Sequence, residues 1–344
     1  MSRRTTLAAL AAVTALALSA CGGSTGGGSS EETGGSAAAD GAFPVTIPNA
    51  FGETTIDAEP ERIVVIGYTE VDTLLALGVQ PVAFQEFVTF PDASVPGLGP
   101  WAEDLAGEAE MQVFPVSSPP GVEEVLALRP DLVVAVGSGI EQDEYDQLSA
   151  VVPVLARPEG STAYLVDRDD ATLAIGQALG KEDQAQELVD GVDADFSAAR
   201  DANPDFAGKT VVVTLPATDG SGGYSAYVTG DTRVSFFEDL GFELTPGIAD
   251  IDAEGGFFVT ISAEQVQLLD ADLVVVLALS SVEETRSQLE ADPVFATVPA
   301  VQAGRVIYTD PLSGGGAISY NDVLSVPFAL DQLVPQIQDA LAGS

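Results

Sequence analysis

The sequence contains no histidine, and this absence removes several classes of site at once. Catalytic triads and general bases built on imidazole are excluded, and so are the histidine-rich sites that zinc usually takes. Cations are also scarce, because 12 Lys and Arg stand against 53 Asp and Glu, for a formal net charge of −41. Nucleic acids require a basic face that neutralises phosphates, so no nucleic-acid partner is expected. The acidic excess indicates a strongly solvated surface.

Cys21 is the only cysteine, so disulfides play no part in the fold. It follows a short basic start, MSRR, and an apolar run, TLAALAAVTALALSA, that is too short for a comfortable membrane span. This order predicts a secretory signal over residues 1–20. Residues 21–42, which include a Gly/Ser-rich tract, are interpreted as a lipidated cysteine and a flexible tether. The stretch LSAC resembles the bacterial lipobox, which implies cleavage before Cys21 and lipid attachment to its sulfur.

From Phe43 onward, short apolar strands alternate with helical patterns. RIVVIG, DLVVAVG and PVLAR are strand-like, whereas TEVDTLLALG, GVEEVLALR and EYDQLSAVV have helical spacing. Continuous apolar strands that alternate with helices are typical of a largely parallel sheet covered on both faces. The alternation resumes later with KTVVVTLP, DLVVVLAL and GRVIYTD. The sequence therefore predicts an α/β fold with an N-terminal lobe over 43–166 and a C-terminal lobe over 208–344.

Residues 167–207 carry no strand signal and separate the two lobes. DATLAIGQALG predicts a helix that ends at Gly180. From Glu182, apolar residues recur at helical spacing over about 20 residues, which predicts a helix roughly 30 Å long. The expected fold is two Rossmann-like lobes joined by a single long rigid helix, with a ligand cleft between the lobes.

One helix–strand unit occurs twice, once on either side of that helix. Residues 122–136, VEEVLALRPDLVVAV, match residues 263–277, AEQVQLLDADLVVVL, at an offset of 141. The match supports two lobes of similar architecture.

Aromatic side chains in loop-like segments mark the expected cleft. Ligand clefts in α/β proteins lie beyond the carboxyl ends of the strands and between domains. The segments that meet this rule are 68–70, 84–101, 137–139, 224–227, 257–258, 280–281 and 313–320. The residues predicted to contact the ligand are Tyr68, Phe84, Phe87, Trp101, Tyr224, Tyr227, Arg233 and Tyr320. For the aromatics of 84–101, a local mini-core that holds the loop down remains an alternative.

No phosphate-binding or metal-binding motif is complete. The Gly-rich stretch DGSGGYSAY lacks the strand–GxGxxG–helix order of a dinucleotide site. DIDAEGG begins like an EF-hand loop, but Ile261 occupies the position where a bidentate Glu is required. No cofactor and no metal site are expected, and no carboxylate pair is singled out for catalysis.

Several segments follow one another in a familiar order: a lipobox, ERIVVIGYTEVDTLLALGVQPVAF, GVEEVLALRPDLVVAVG, ISAEQVQLLDADLVVVL and AGRVIYTDPL. From about Phe43 to its end, the chain resembles the solute-binding lipoproteins of ABC importers, in the branch that takes up ferric siderophores, haem and cobalamin. The resemblance implies a binding protein rather than an enzyme, expected to be a monomer. It also implies a location on the extracellular face of the cytoplasmic membrane, with the lipid on Cys21 as the anchor.

The same resemblance implies a role for one surface glutamate on each lobe. In this family, such residues engage arginines on the membrane permease, and the matching positions here are Glu123 and Glu264. A carboxylate at a helix start is also favoured by the helix dipole alone. The two interpretations are compatible, and permease docking is the prediction.

The class of ligand is predicted from charge. A polyanion such as ferric citrate requires several arginines, which bind carboxylates bidentately. Eight Arg and two Lys follow Cys21, and Arg233 is the best placed for the cleft. Scarce cations beside several aromatics favour a neutral or cationic chelate, so the predicted ligand is an Fe(III)-siderophore of the hydroxamate type.

Two other functions remain open at this point. Haem or cobalamin is an alternative ligand for the same fold, and without histidine haem iron would need Tyr224, Tyr227 or Tyr320 as its ligand. A secreted lipoprotein enzyme is a further alternative, although the absence of histidine leaves it few catalytic groups.

Overall fold

The computed structural model describes residues 41–107, 110–217, 222–253, 255–278 and 281–343. The predicted signal, Cys21 and almost all of the predicted tether lie outside these residues. Within the described ranges, no helix combines the length and the apolarity that a membrane span requires.

The first lobe is built on a five-stranded parallel sheet preceded by an antiparallel hairpin. The strands are β1 (Val45–Asn49), β2 (Gly52–Ile56), β3 (Ile63–Val65), β4 (Ala83–Gln85), β5 (Gln112–Phe114), β6 (Leu132–Ala135) and β7 (Val154–Ala156). The order in the parallel sheet is β5-β4-β3-β6-β7, and β1 pairs with β2. The helices are α1 (Glu70–Ala76), α2 (Val122–Ala127) and α3 (Gln142–Ser149). Strands β3 and β6 are buried along their whole length, as their unbroken apolar runs predicted.

Two helices follow the first sheet in the chain, α4 (Arg168–Ala178) and α5 (Glu182–Ala202). Helix α5 has 21 residues and buries one stripe of apolar side chains, which confirms the long helix predicted from Glu182. The two helices pack closely because Gly176 on α4 leaves room for Ala185, whose side chain a Cβ at position 176 would overlap. That α5 acts as a rigid strut stays a prediction.

The second lobe is built on a six-stranded mixed sheet. Its strands are β8 (Thr210–Pro216), β9 (Tyr224–Tyr227), β10 (Glu243–Leu244), β11 (Phe258–Ile261), β12 (Leu273–Leu277) and β13 (Val306–Thr309). The order is β11-β9-β8-β12-β13, with β10 also paired to β8. Strands β8, β10, β12 and β13 run parallel, whereas β9 is antiparallel to both β8 and β11. The expected loop 224–227 is therefore an antiparallel strand, stabilised by pairing on both of its edges.

The helices of this lobe are α6 (Thr232–Asp239), α7 (Pro246–Ala249), α8 (Val282–Glu290), α9 (Pro299–Gln302), α10 (Gly314–Tyr320) and α11 (Ser325–Ala342). The predicted α-helix within SAEQVQLLD is instead a 3₁₀ helix over Ala263–Leu269. The terminal helix α11 begins at Ser325. Its start is set by the Asp322 carboxylate, which accepts hydrogen bonds from the N–H groups of Leu324 and Ser325 at 2.9 Å each.

Helix α10 corrects the expectation of a loop over 313–320. It begins with three glycines, which have low helix propensity and therefore predicted irregular structure. Packing requires them, because a Cβ on Gly314 would overlap the Leu333 side chain and one on Gly316 would overlap the carbonyl of Pro311. Asn321 ends the helix in the left-handed conformation at φ 47°.

The repeated helix–strand unit occupies the same place in both lobes. Strand β6 lies between β3 and β7, and β12 lies between β8 and β13. Each copy has an aspartate just before its strand, and this aspartate binds the start of the neighbouring strand. Asp131 accepts the N–H groups of Glu61 and Arg62 at 2.9 and 2.8 Å, and Asp272 accepts the N–H of Thr210 at 2.9 Å. These two acids therefore have a structural role.

Candidate functional site

A cavity of about 740 Å³ lies between the two lobes. The first lobe contributes the residues that follow β3, β4 and β6, namely 68–70, Phe87 and Gly137. The second lobe contributes residues around β9, α6, β11 and α10, and the segment that enters α4 lines a further side. This position beyond the carboxyl ends of the first-lobe strands agrees with the general rule for α/β folds.

A row of five aromatic rings crosses the cavity from one lobe to the other. Tyr68 stacks on Phe87 at 5.1 Å and on Tyr164 at 5.6 Å between ring centroids. Phe87 in turn contacts Tyr320 at 5.4 Å, and Tyr164 contacts Phe257 at 5.8 Å. The row offers a ligand a wide apolar surface with hydroxyl groups at three of its rings.

Tyr164 belongs to the segment that enters α4 and is 41% exposed. Its φ of 64° is left-handed, which is uncommon for a residue with a bulky side chain. Gly139 leaves room for its hydroxyl, which a Cβ at that position would overlap. Tyr164 therefore reaches rings of both lobes from the linking segment.

Arg233 at the start of α6 is held within the cavity wall by Asp231. One guanidinium nitrogen lies 3.1 and 2.9 Å from the two Asp231 oxygens, and the backbone N–H of Arg233 donates to the same carboxylate at 3.0 Å. The guanidinium also lies 4.4 Å from the centre of the Tyr227 ring. Burial raises the pKa of Asp231, and Arg233 partly opposes that rise. The charge of Arg233 is thus largely neutralised before any ligand arrives.

Arg168 at the start of α4 is paired in the same way. Its guanidinium lies 3.2 Å from Asp169 and 3.3 Å from Asp239, and it donates to the Asn321 side chain at 3.4 Å. Burial raises the pKa of both carboxyl groups, and the neighbouring Arg168 lowers it in part. The pairing joins α4 to the second lobe at the edge of the cavity.

The cavity carries a marked excess of negative charge. Two arginines line it, and both have a lining carboxylate as their ion-pair partner. The acids that line it are Glu70, Asp167, Asp169, Asp193, Asp231, Glu238, Asp239 and Asp322. A polyanionic ligand would meet repulsion here, whereas a neutral or cationic ligand would not.

Glu70 ties two of the cavity-forming turns together. Its carboxylate accepts the N–H of Gly137 at 2.7 Å and that of Thr69 at 3.0 Å. The side chain is 2% exposed, and burial raises its pKa while these backbone donors lower it in part. Glu70 therefore fixes the turn after β3 against the turn after β6.

Five of the residues predicted to contact ligand line this cavity: Tyr68, Phe87, Tyr227, Arg233 and Tyr320. The other three lie outside the lining. Phe84 is fully buried in the core of the first lobe. Trp101 packs edge-on against Phe90 and Tyr320, and its indole N–H donates to Asp72. Tyr224 is buried in the second-lobe core, and its hydroxyl is bonded to Asp292. Phe84 and Trp101 therefore pack against other side chains in the interior, as the mini-core alternative predicted.

Sequence reasoning missed the lining residues Tyr164, Arg168, Asp231 and Asn321. They lie where the chain passes between the lobes or where a helix begins or ends, and no sequence motif marks them. One general signal was available, because the segment between the last strand of one lobe and the linking helix must border an interlobe cleft. A metal cluster is a separate question, and the described residues contain no group of three or more acids or cysteines placed to hold an ion.

The predicted docking glutamates lie on the surface of different lobes. Glu123 is exposed in the first turn of α2, and Glu264 is exposed in the first turn of the 3₁₀ helix. Neither carboxylate has an ion pair with another described residue. Both remain accessible to a partner.

Comparison with proteins of known structure shows the same architecture. The chain is similar to a periplasmic solute binding protein from Mycobacterium smegmatis, with 33% identity, a TM-score of 0.75 and coverage of 86% of this chain and 98% of that one. It is also similar to PiaA from Streptococcus pneumoniae in complex with ferrichrome, with 26% identity, a TM-score of 0.75 and coverage of 87% and 99%.

Sequence comparison agrees with this architecture. The probable siderophore-binding lipoprotein YfiY of Bacillus subtilis is 26% identical over 81% of this chain and 85% of its own length. The family profile described as Periplasmic binding protein matches residues 63–312, which include both sheets and the linking helices. The chain belongs to the periplasmic binding protein family.

Proposed function

We propose that this protein is an extracytoplasmic binding protein that captures a ferric siderophore of the hydroxamate type for an ABC importer. One observation carries the proposal: the cavity is walled by aromatic rings, and both of its arginines are already paired with carboxylates. Three hydroxamate anions neutralise one Fe(III), so such a chelate is uncharged at its centre. Its hydrocarbon surface can pack on the rings without meeting charge repulsion.

The charge of the cavity argues against a chelate rich in carboxylates. Ferric citrate would bring several negative charges beside eight acidic side chains and would have to displace Asp231 from Arg233 to find a cation. The similarity to PiaA, whose solved complex contains ferrichrome, supports the hydroxamate class.

The test is a titration of the purified chain with three iron chelates of different charge. Ferrichrome is neutral, ferrioxamine B carries an ammonium group, and ferric citrate is anionic. Trp101 reports on the cavity because its ring lies 5.2 Å from Tyr320, which lines it. We expect the first two chelates to change the Trp101 emission and to release heat in calorimetry. Tight binding of ferric citrate alone would refute the proposal.

The haem alternative has less support in the arrangement of the tyrosines. Tyr224 lies outside the cavity and is bonded to Asp292. The hydroxyl of Tyr320 contacts the carbonyl of Gly97 at 3.4 Å and the N–H of Val88 at 3.3 Å. Of the three tyrosines, this leaves Tyr227 as the candidate ligand. An absorbance scan of protein purified from haem-fed cells would reveal the cofactor if this alternative were correct.

We also propose that Glu123 and Glu264 dock the two lobes on the permease. The two exposed acids lie at equivalent places of the repeated unit, and neither forms an ion pair with another described residue. Replacing both with Lys should leave chelate binding intact and stop uptake by whole cells. Glu124→Lys is the matched control, because Glu124 is exposed on the same first turn of α2. Equal loss of uptake in the control would show a general effect of surface charge.

The proposed anchor is the lipid on Cys21, and the mature protein is proposed to act as a monomer. Cys21→Ser should release the protein from the membrane fraction into the medium while its chelate binding is unchanged. A variant that stays in the membrane fraction would rule out Cys21 as the anchor.

A further inference from the structure

Two buried carboxyl groups from different lobes meet beside the cavity. Asp72 lies on α1 of the first lobe and is 0% exposed, whereas Asp322 lies between α10 and α11 of the second lobe and is 5% exposed. The two carboxyl groups are close enough to interact directly with each other. Asp322 also lines the cavity together with Tyr320 and Asn321, and these three residues are called here the cavity floor.

In each carboxyl group, one oxygen accepts hydrogen bonds from neighbouring N–H groups. The Oδ2 of Asp72 accepts the indole N–H of Trp101 at 2.5 Å. The Oδ1 of Asp322 accepts the N–H groups of Leu324 and Ser325 at 2.9 Å each. The remaining oxygens, Oδ1 of Asp72 and Oδ2 of Asp322, are buried and meet no donor among the described residues. A buried oxygen without a donor is costly, so this pair needs a hydrogen that neither backbone nor neighbours supply.

Among the described residues, no Lys or Arg forms an ion pair with either acid. Arg168 reaches Asn321, but its ion pairs are with Asp169 and Asp239. The other titratable groups nearby are Tyr320 on α10 and Glu70 on α1. The hydroxyl of Tyr320 lies by the first-lobe backbone, and Glu70 is satisfied by backbone N–H groups. Two ionised carboxylates cannot share such a site, and a single proton between them resolves both the charge and the missing donor.

We propose that Asp72 and Asp322 share one proton, and that the resulting hydrogen bond holds the two lobes together at the cavity floor. Trp101 belongs to the same junction, because it donates to Asp72 while its ring packs against Tyr320 and Phe328 of the second lobe. The two acids are positioning residues. They set the distance between the lobes and the placement of the cavity floor without themselves needing to touch the ligand.

The direction of the pH effect follows from burial. Burial and the facing acid raise the pKa of Asp72 well above its ordinary value, and burial raises that of Asp322. In the unfolded chain, both groups titrate in the ordinary range near pH 4. The folded protein therefore holds a proton that the unfolded chain has lost. The contribution of this pair to the free energy of unfolding is fully present below about pH 4, and it declines as the pH rises through the raised pKa.

The variant that tests this is Asp322→Asn in the whole ligand-free chain. The amide oxygen can keep accepting from Leu324 and Ser325, and the amide N–H₂ permanently supplies the hydrogen to Asp72. We expect the wild-type melting temperature to fall between pH 5 and pH 9, and that of the variant to fall less and to be higher at the alkaline end. Asp143→Asn is the control, because it removes one exposed surface charge from α3 and should keep the wild-type profile.

A second readout follows Trp101, the only tryptophan, through the same pH range. Its emission should titrate with a midpoint above the ordinary carboxyl range, because its partner Asp72 gains a charge there. Asp322→Asn should move that midpoint to lower pH, because the amide N–H₂ stabilises the charged form of Asp72, and it leaves the bond from Trp101 to Asp72 in place. If Asp322→Asn fails to fold, Asp72→Asn should show the same smaller fall in melting temperature. Unchanged pH profiles in a folded variant would overturn the shared proton.

Discussion

Replacing Asp231 with Asn should raise the affinity of the cavity for ferric citrate. The substitution keeps the shape of the side chain and its function as the N-cap of α6, since Asn is also a favoured N-cap residue. It removes the negative charge that lies 2.9 Å from the Arg233 guanidinium. Arg233 then becomes available to a carboxylate of the ligand.

The size of the effect follows from the burial of the pair. Asp231 is 1% exposed and Arg233 is 15% exposed, so solvent screens their attraction only in part. A hydrogen bond to a charged group is worth about 1.5–3 kcal/mol. Transferring that interaction to the ligand predicts an affinity gain for ferric citrate of roughly 10- to 150-fold. The lost internal pair should destabilise the fold by about 3 kcal/mol, the low end of the range for a broken buried pair, because the Asn oxygen still accepts one bond.

The assay is calorimetric titration of wild type and variant with ferric citrate and with ferrichrome at one ionic strength. Ferrichrome should bind both proteins with similar affinity, because a neutral chelate gains little from an unpaired cation. Asp170→Asn is the matched control: it removes an acid from the first turn of α4, outside the cavity lining. The reasoning is refuted if the folded Asp231→Asn variant binds ferric citrate no better than wild type does.

Three further outcomes test the packing. Gly316→Ala should lower the free energy of unfolding by about 1–3 kcal/mol in urea, because its Cβ would overlap a backbone carbonyl. Gly191→Ala lies on the open surface of α5 and should raise it by about 0.5–1 kcal/mol, because Gly is unfavourable within a helix. Asp131→Ala should lower stability by about 1 kcal/mol in urea unfolding, since two N–H groups at the start of β3 lose their acceptor. Tyr164→Gly should relieve the left-handed backbone yet weaken ferrichrome binding in calorimetry, while Tyr164→Phe keeps the ring and should bind like wild type.

Several strands and one helix of the fold follow from local residue patterns in the sequence. The unbroken apolar runs of β3, β6 and β12 predicted parallel strands, because a strand covered on both faces needs no polar residue. The spacing of apolar residues from Glu182 predicted α5 within about one residue of its length. Helix α10 was not predicted, because it begins with three glycines, which disfavour a helix. The glycines allow the Leu333 side chain and two backbone carbonyls to approach closely, and this requirement comes from the tertiary neighbours.

The candidate site was recovered in part for a similar reason. Tyr68 and Phe87 directly follow strand ends, where the topology places cavity residues, and both line the cavity. Phe84 and Tyr224 are aromatic too, but they lie within strands and point into cores. An aromatic ring is equally suited to a core and to a ligand wall, so composition alone cannot separate the two.

The sequence by itself determined that this chain is an α/β protein with a linking helix, a repeated unit and few cations. Those properties follow from periodicity and composition, which are local or additive along the chain. The tertiary structure alone decided that Asp231 pairs with Arg233, that Tyr164 reaches rings of both lobes, and that Asp72 meets Asp322. The contacts of Tyr164 and the meeting of the two aspartates join residues more than 70 positions apart in the chain. All three arrangements depend on distances of a few ångströms, which the spacing of residues in the sequence does not encode.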